Sequence, residues 1–512
     1  MNLKNMKRVI TNWFSKPLYP LMIAAYPVLA LLSSNAGQIQ PEAGIRSLLV
    51  SVVFGSVLFL VIWLFIRQAH KAAFLSTLWL ALFFTFGHAY IAIQEKYPDA
   101  NYTTWLAVGW GVLFVLALVW ATRPKLTFVS SASTINTIAL ALLAMSVGQI
   151  ISQGGSRSAH ALGADHAPVQ ADLVAPQNPP DVYYFILDSY GRRDGLAQAY
   201  GFDNTEFLNA LEERGFYVAK CSQSNYVRTE ISLASSLNMM YLQELDDEFS
   251  PDSIARRTLW NSLKHSAVRY NFESMGYTTV NFATGFAWNE LEDADVFLSP
   301  PPFTSGLTEF EGLFLRTTLA RYAQDFGWVD PDAVMGQSFR DRFNNVFDSV
   351  DDLAKMPEPT FAYIHLISPH PPFVFDKEGN PTYPPDLWNE NREYPSNLYA
   401  IGYQNQLVYL NKKVLEAVDT LLAESETPPI IIFQGDHGPW LQPKEKRMWI
   451  FNAYYLPENN DKLYSKITPV NTFRLVFNTY FGGKYDMLED VSYFSPVPKL
   501  YDFSEIPNKC GD

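Results

Sequence analysis

Hydrophobic positions divide this chain in two. In the first third they form long blocks, near residues 17–35, 48–67, 73–94, 103–122 and 132–152. Each block approaches the roughly 20 residues that cross a bilayer as a helix. The pattern predicts about five transmembrane helices within a domain spanning residues 1–152. Several spans follow the first, so it reads as an anchor and not as a cleaved leader. The fifth block has the most polar start, with Ser131, Ser133, Thr134, Asn136 and Thr137. Without that crossing, the remainder of the chain would lie in the cytoplasm. Residues 153–180 lose the pattern: Gly, Ser, Ala, His, Gln and Pro dominate up to Asn178-Pro179-Pro180, which marks a linker.

From Asp181 onward the apolar runs are short. Val182 to Leu187 predicts a buried strand that ends on Asp188. Asn204 to Arg214 has helical spacing, with Asp203 as a cap and Gly215 as a stop. Further strands are predicted at Phe216–Ala219, Thr279–Phe282, Phe361–Ile367, Pro429–Gln434 and Phe451–Leu456. Helices are predicted over Thr229–Leu242, Trp260–Met275 and Asn397–Leu422. The alternation of strands and helices predicts an α/β domain over residues 181–512, its sheet covered by helices on both faces. About 330 residues suits one such domain.

Charge adds orientation. Charged residues make up 18% of the chain, and the deficit against an ordinary soluble protein falls in the first third. Lys4, Lys7 and Arg8 precede the first block, Arg67 and Lys71 separate the second and third, and Arg123 and Lys125 separate the fourth and fifth. The alternate loops carry Glu42 and Arg46, then Glu95, Lys96 and Asp99. Basic loops stay in the cytoplasm, so the amino terminus is inside and an odd number of crossings exports everything after residue 153. The expected location is a bacterial-type inner membrane, with the second domain in the periplasm. The net charge of −14 lies mostly in that domain. It argues against nucleic acid as a partner, but admits an anionic lipid wherever a bound cation reverses the local sign. Cys221 and Cys510 can pair in an oxidising compartment, although their spacing does not fix this and forms no zinc knuckle.

The candidate chemistry sits at strand ends. Ile430 to Gln434 is a β-branched run that stops at Gly435, with Asp436, His437 and Gly438 next. Asp188 ends the first strand in the same way, and Ser368-Pro369-His370-Pro371 follows the strand between them. Open α/β sheets collect their ligands at the carboxyl edge, so these residues predict a shared site. Asp and His suit a divalent ion such as Mn²⁺, Zn²⁺ or Mg²⁺. Thr229 opens a helix. Its spacing alone favours an N-cap, while a hydroxyl at that position can also meet a phosphoryl group and act as a nucleophile. Ser232, Ser235 and Ser236 read as packing or helix-face residues. Arg228, adjacent to Thr229, has the best claim among Arg192, Arg193 and Arg228 to hold a phosphodiester. His365, inside a strand, reads as a core residue, and His160 and His166 as solvated linker residues. Tyr226, Trp288, Tyr403 and Trp440 either line a pocket or pack in the core; with 15% aromatic residues, packing is the default.

The order of strand–Asp, helix-start Thr, the His-x-Pro-Phe-like loop and Gly-Asp-His-Gly resembles the alkaline phosphatase and sulfatase superfamily. With membrane spans in front, it is similar to the branch of lipoteichoic acid synthases and lipid A phosphoethanolamine transferases. The resemblance implies a mixed, mainly parallel sheet sandwiched by helices. It implies one divalent ion on Asp188, Thr229, Asp436 and His437, with Thr229 as nucleophile and His370 against the transferred group or leaving oxygen. It also implies a phospholipid donor and an envelope glycan or lipid acceptor. Val470–Asn478 matches the helix such proteins carry near the carboxyl end. The sulfatase motif Cys/Ser-x-Pro-x-Arg is missing, for the segment reads Thr229-Glu-Ile-Ser-Leu. The first ligand is Asp, as in sulfatases, where the synthases commonly have Glu. The expected function is therefore a membrane-anchored phospho-headgroup transferase. A phosphoric or sulfuric ester hydrolase, or an inactive envelope-assembly protein, stands as the alternative.

Overall fold

The computed structural model describes residues 16–35, 41–97, 102–154, 172–301, 308–322, 331–357, 359–382, 396–439, 444–508 and 510. Lys4, Lys7, Arg8, Asp99, His160, His166 and Trp440 lie outside the described residues, as does most of the expected linker. The chain divides into two compact units. One holds residues 1–158 and 307–331, the other residues 159–306 and 332–512.

The first unit contains the helices Tyr19–Ser34, Ile45–Ile66, Ala69–Lys96, Thr103–Ala121 and Val129–Gly154. Four of them are long and apolar enough to cross a membrane; Tyr19–Ser34 has only 16 residues. The block with the polar start is a full helix of 26 residues. Residues 308–322, expected within the α/β domain, belong to this unit instead. Their helix Glu309–Arg316 opens on a capping box in which Thr308 and Glu311 satisfy each other's end of the turn. Phe310 and Phe314 pack into a core with Ala24, Val28, Leu80 and Phe84. Arg46 forks onto the Glu311 carboxylate, Leu319 N donates to Phe83 O at 2.8 Å, and Tyr322 Oη donates to Thr103 O at 2.9 Å.

The second unit is built on a seven-stranded sheet. Its strands are β1 (Val182–Leu187), β2 (Tyr217–Val218), β3 (Thr278–Phe282), β4 (Val296–Leu298), β5 (Thr360–Leu366), β6 (Ile430–Gln434) and β7 (Asn452–Tyr455). Their spatial order is β2-β7-β6-β1-β5-β3-β4. β1 runs parallel to both β5 and β6, β3 is parallel to β4 and β5, and only the β7 pairings are antiparallel. Each residue of β1, β5 and β6 is buried. That is why these strands read as continuous apolar runs and not as alternating ones. The period of two still sorts the side chains. Val182, Tyr184 and Ile186 join one core, while Tyr183, Phe185 and Leu187 join the other. The first core is closed by Thr229–Asn238 and Pro469–Tyr480, the second by Ser396–Glu424.

Two predicted helices are shorter than their pattern. Thr229–Leu242 stops at Asn238 because Met239 takes a left-handed conformation, φ 54°. Trp260–Met275 is two helices, Arg256–Lys264 and Ala267–Ser274, the second capped by Ser266. A small antiparallel pair, β8 (Ser492–Phe494) with β9 (Ser504–Ile506), lies outside the main sheet. Cys221 and Cys510 form a disulfide across 289 residues of chain.

Candidate active site

Parallel pairing places the carboxyl ends of β1, β5 and β6 on one edge of the sheet. Asp188 leaves β1, His370 follows β5, and Asp436 and His437 follow β6. Gly435 is required at this edge: a Cβ there would lie 2.5 Å from Tyr190 O. Ser189, at φ 67°, turns the chain so that its N–H donates to Asp436 Oδ1 at 2.9 Å. Ser232 Oγ donates to Asp436 O at 2.7 Å, and Gly438 N donates to Arg447 O at 2.6 Å. Tyr403 braces the opposite turn, donating to Ser189 O at 2.9 Å and accepting from Gly191 N at 3.2 Å.

The expected ligand set converges. His437 Nε2 lies 3.2 Å from Thr229 Oγ1, 3.5 Å from Asp436 Oδ2 and 3.8 Å from Asp188 Oδ1. Thr229 corrects the capping expectation. The N-cap is Arg228, and no side chain caps this helix; Thr229 is the first helical residue, with its hydroxyl against His437. His370 is fixed by its own N–H to Asp188 O at 3.0 Å and by Gln406 Nε2 to its carbonyl at 3.1 Å. Its ring centroid is 6.3 Å from that of His437.

Asp188, Asp436 and His437 are nearly inaccessible to solvent. Asp188 Oδ1 and Asp436 Oδ2 are buried without a hydrogen-bond partner. Two orphaned carboxylate oxygens beside an imidazole nitrogen are a costly arrangement unless a cation joins them. Burial alone would raise the Asp188 pKa; His370, His365 and His437 together hold it well below the ordinary carboxylate range. Burial lowers the His437 pKa against the pull of Asp436, in the direction of the neutral imidazole that a metal ligand requires. Among the described residues, Asp188, His365 and Asp436 bring ligand atoms within 4.8 Å of one another. His365 is thus buried in its strand, as expected, and also part of the site. The donor set fits a divalent ion.

The other candidates separate cleanly. Arg192 is buried in an ion pair with Asp194 and also donates to Ser222 O, and Arg193 is exposed. Arg228 keeps Nη2 buried without a hydrogen-bond partner. Ser235 and Ser236 bond to backbone carbonyls close in sequence. Tyr226 and Trp288 pack in the core of the Thr229 helix. Sequence reasoning missed Arg447. It sits in the short 3-10 turn Lys444–Met448, and burial lowers its pKa while Tyr399, Asp436 and Asp188 oppose the change. It also missed Asn289, which bonds His365. Neither carries a local spacing signal.

A mainly parallel sheet with a buried Asp/His constellation at its carboxyl edge defines an alkaline phosphatase-like α/β domain. The sulfatase family profile matches residues 180–475, and the chain belongs to that family, within the alkaline phosphatase and sulfatase superfamily. No curated protein matches it. Solved structures similar to it include the periplasmic domain of EptC from Escherichia coli. That structure has 14% identity and a TM-score of 0.44, and the match covers 66% of this chain and 96% of that one. The lipoteichoic acid synthase LtaP from Listeria monocytogenes has 14% identity and a TM-score of 0.39, covering 63% and 81%. The integral membrane phosphoethanolamine transferase EptA from Neisseria meningitidis has 12% identity and a TM-score of 0.39, covering 91% and 94%.

Proposed function

We propose that this protein is a membrane-anchored, metal-dependent transferase that moves a phospho-headgroup from a phospholipid to an envelope glycan or lipid. The observation that carries the proposal is the meeting of four side chains at His437 Nε2, with Thr229 Oγ1 among them. Asp188, Asp436, His437 and Thr229 would hold one divalent ion, Mn²⁺, Zn²⁺ or Mg²⁺. Bound there, the ion supplies an acidified Thr229 hydroxyl and a counter-charge for phosphoryl oxygens. Thr229 Oγ forms a bond to phosphorus as the bond from phosphorus to the diacylglycerol oxygen breaks. His370 Nδ1 donates to Pro371 O at 2.5 Å, so Nε2 is the nitrogen that would pass the Thr229 proton on to the leaving oxygen. An acceptor hydroxyl then displaces Thr229 from the phospho-threonine, its proton passing to Thr229 Oγ so that the threonine is regenerated. Arg228, with its partnerless Nη2, would hold a non-bridging oxygen.

The Cys221–Cys510 disulfide supports an oxidising compartment for the catalytic unit, and the positions of Arg67, Lys71, Arg123 and Lys125 support its export. A hydrolase with water as acceptor uses the same residues. Full-length protein given phospholipid labelled in its headgroup distinguishes the two. A transferase releases diacylglycerol and passes the label to an acceptor, whereas a hydrolase frees it to solution. Thr229→Ala should lower turnover by at least about 10³-fold, with no covalent label retained on the protein. Turnover at the wild-type rate in that variant refutes the nucleophile.

A further inference from the structure

Residues 308–322 stand between β4 and the helix Pro331–Asp348 in sequence, yet they pack among the apolar helices of the first unit. Their depth can be counted along the helix Ala69–Lys96. Lys71 Nζ donates to Arg123 O at 3.1 Å, so two basic loops mark one membrane face. A hydrocarbon layer of about 30 Å takes about 20 residues of helix and, counted from Lys71, ends near Tyr90. Phe83 then lies about 10 Å, and Gly87 about 5 Å, inside the opposite face. Both meet the segment through the backbone. Leu319 N donates to Phe83 O at 2.8 Å, and Gly87 N donates to Thr317 O at 3.0 Å. Glycine permits this approach, for a Cβ at 87 would lie 2.2 Å from Arg316 O.

The two arms of the segment rise from that depth to the face. On one arm, Arg46 at the start of the helix Ile45–Ile66 forks onto Glu311, and below it the Phe314 ring lies 5.9 Å from that of Phe84. On the other, Arg321 Cζ stands 3.8 Å from the ring centroid of Tyr90. Tyr322 Oη donates to Thr103 O, where the helix Thr103–Ala121 begins. Charge thus sits near both ends, with Thr317–Leu319 at the bottom. The backbone suits a place without water. Each N–H from Thr317 to Tyr322 has an acceptor inside the unit, in order Phe314 O, Leu315 O, Phe83 O, Thr318 Oγ1, Thr318 O and Leu319 O. Irregular backbone at hydrocarbon depth requires such pairing. Leu313 meanwhile stays 41% exposed on its helix.

We infer that residues 308–322 form a re-entrant hairpin in the leaflet away from Lys71 and Arg123, and that its partner is phospholipid. Acyl chains cover Leu313, and Arg321 lies level with the lipid phosphates. The inference goes beyond the proposed function and does not need it.

The test uses the full-length protein in nanodiscs. Cys221 and Cys510 are paired, so the thiol placed by Leu313→Cys alone takes a fluorescent label. Brominated phospholipids quench a label within the acyl layer, and iodide quenches one in water. Emission from position 313 should fall when brominated lipid replaces ordinary lipid, more with bromine near the headgroup than at the chain end, and should resist iodide. Quenching by iodide, with none from brominated lipid, overturns the inference. Ala320→Cys, on the returning arm, gives the reading where the first variant does not fold, and the same two results decide it. Neither reading requires turnover. A protein without transferase activity would sink the proposed function and leave the hairpin standing.

Discussion

Gly435→Ala is the smallest change that should move the candidate site. The added Cβ would lie 2.5 Å from Tyr190 O, whereas an ordinary contact needs about 3.4 Å. One partner must therefore retreat by about 0.9 Å, the difference of those two distances. Tyr190 is poorly placed to do so. Its carbonyl accepts from Phe451 N at 3.0 Å, and its hydroxyl donates to Asn411 Oδ1 at 2.7 Å and accepts from Asn204 Nδ2 at 2.9 Å. The strand end at 435 moves instead, and Asp436 and His437 move with it. Overpacking of this kind costs about 1–3 kcal/mol of stability. Displacement of catalytic groups by about 1 Å costs on the order of 10²-fold in rate. The expected result is a modest fall in melting temperature together with a turnover loss near 100-fold and weaker metal binding. Headgroup transfer from labelled phospholipid and a thermal melt, run on the same preparation, measure both. Wild-type turnover in a variant that is measurably destabilised would show that the strand end does not set the site.

Other consequences lie further from the chemistry. Burial pushes Asp181 up to about 6, against hydrogen bonds from Thr360 N and Tyr183 Oη and with added repulsion from Glu426. A carboxyl raised in the folded state contributes stability that is intact below its unfolded value near 3.9 and is lost as pH rises through about 6. Asp181→Asn should thus remove a decline of about 2 kcal/mol between pH 4 and 6 in urea unfolding, and identical slopes would count against it. A Cβ at Gly87 would meet Arg316 O at 2.2 Å and Thr317 C at 2.3 Å. Gly87→Val should therefore release residues 308–322 to proteolysis, and an unchanged cleavage pattern would argue against that docking. Removal of divalent ions by a chelator should abolish turnover and lower the melting temperature, with recovery on adding Mn²⁺ or Zn²⁺; activity that survives exhaustive chelation refutes the metal requirement.

The core of the site was legible because buried parallel strands cannot bury charge. A carboxylate directly after Leu187, and a second with an imidazole directly after Gln434 and Gly435, stand out against apolar runs. The site depends on those runs being parallel, which puts their ends on one edge. What could not be read has a common cause: it depends on which segment lies opposite. His365 has the same local pattern as a packing residue, and only the fold brings it beside Asp188 and Asp436. Glu309–Arg316 has the amphipathic spacing of any surface helix. Only its partners, Arg46, Ala24 and Leu80, place it with the N-terminal helices. Arg447 is one basic residue in a charged turn until its carbonyl is seen to receive the N–H of Gly438.

Charge then links the metal and the substrate. The chain carries −14 overall, and two of its carboxylates lie buried in the site with inward oxygens that lack hydrogen-bond partners. A phosphodiester entering beside them would meet like charge in a poorly screened setting, where repulsion is strong. A divalent ion held by Asp188 and Asp436 would cancel that charge and offer the anion a partner. On the proposed function Arg228 would complement it from the helix start, since its Nη2 is buried without a hydrogen-bond partner. Taking a guanidinium nitrogen out of water in this way is unfavourable unless an anion completes it. The same unsatisfied atoms that make the isolated site costly to fold are those that a cation and then a phosphoryl group would satisfy. If the proposed function holds, metal binding would precede substrate binding and be thermodynamically linked to it.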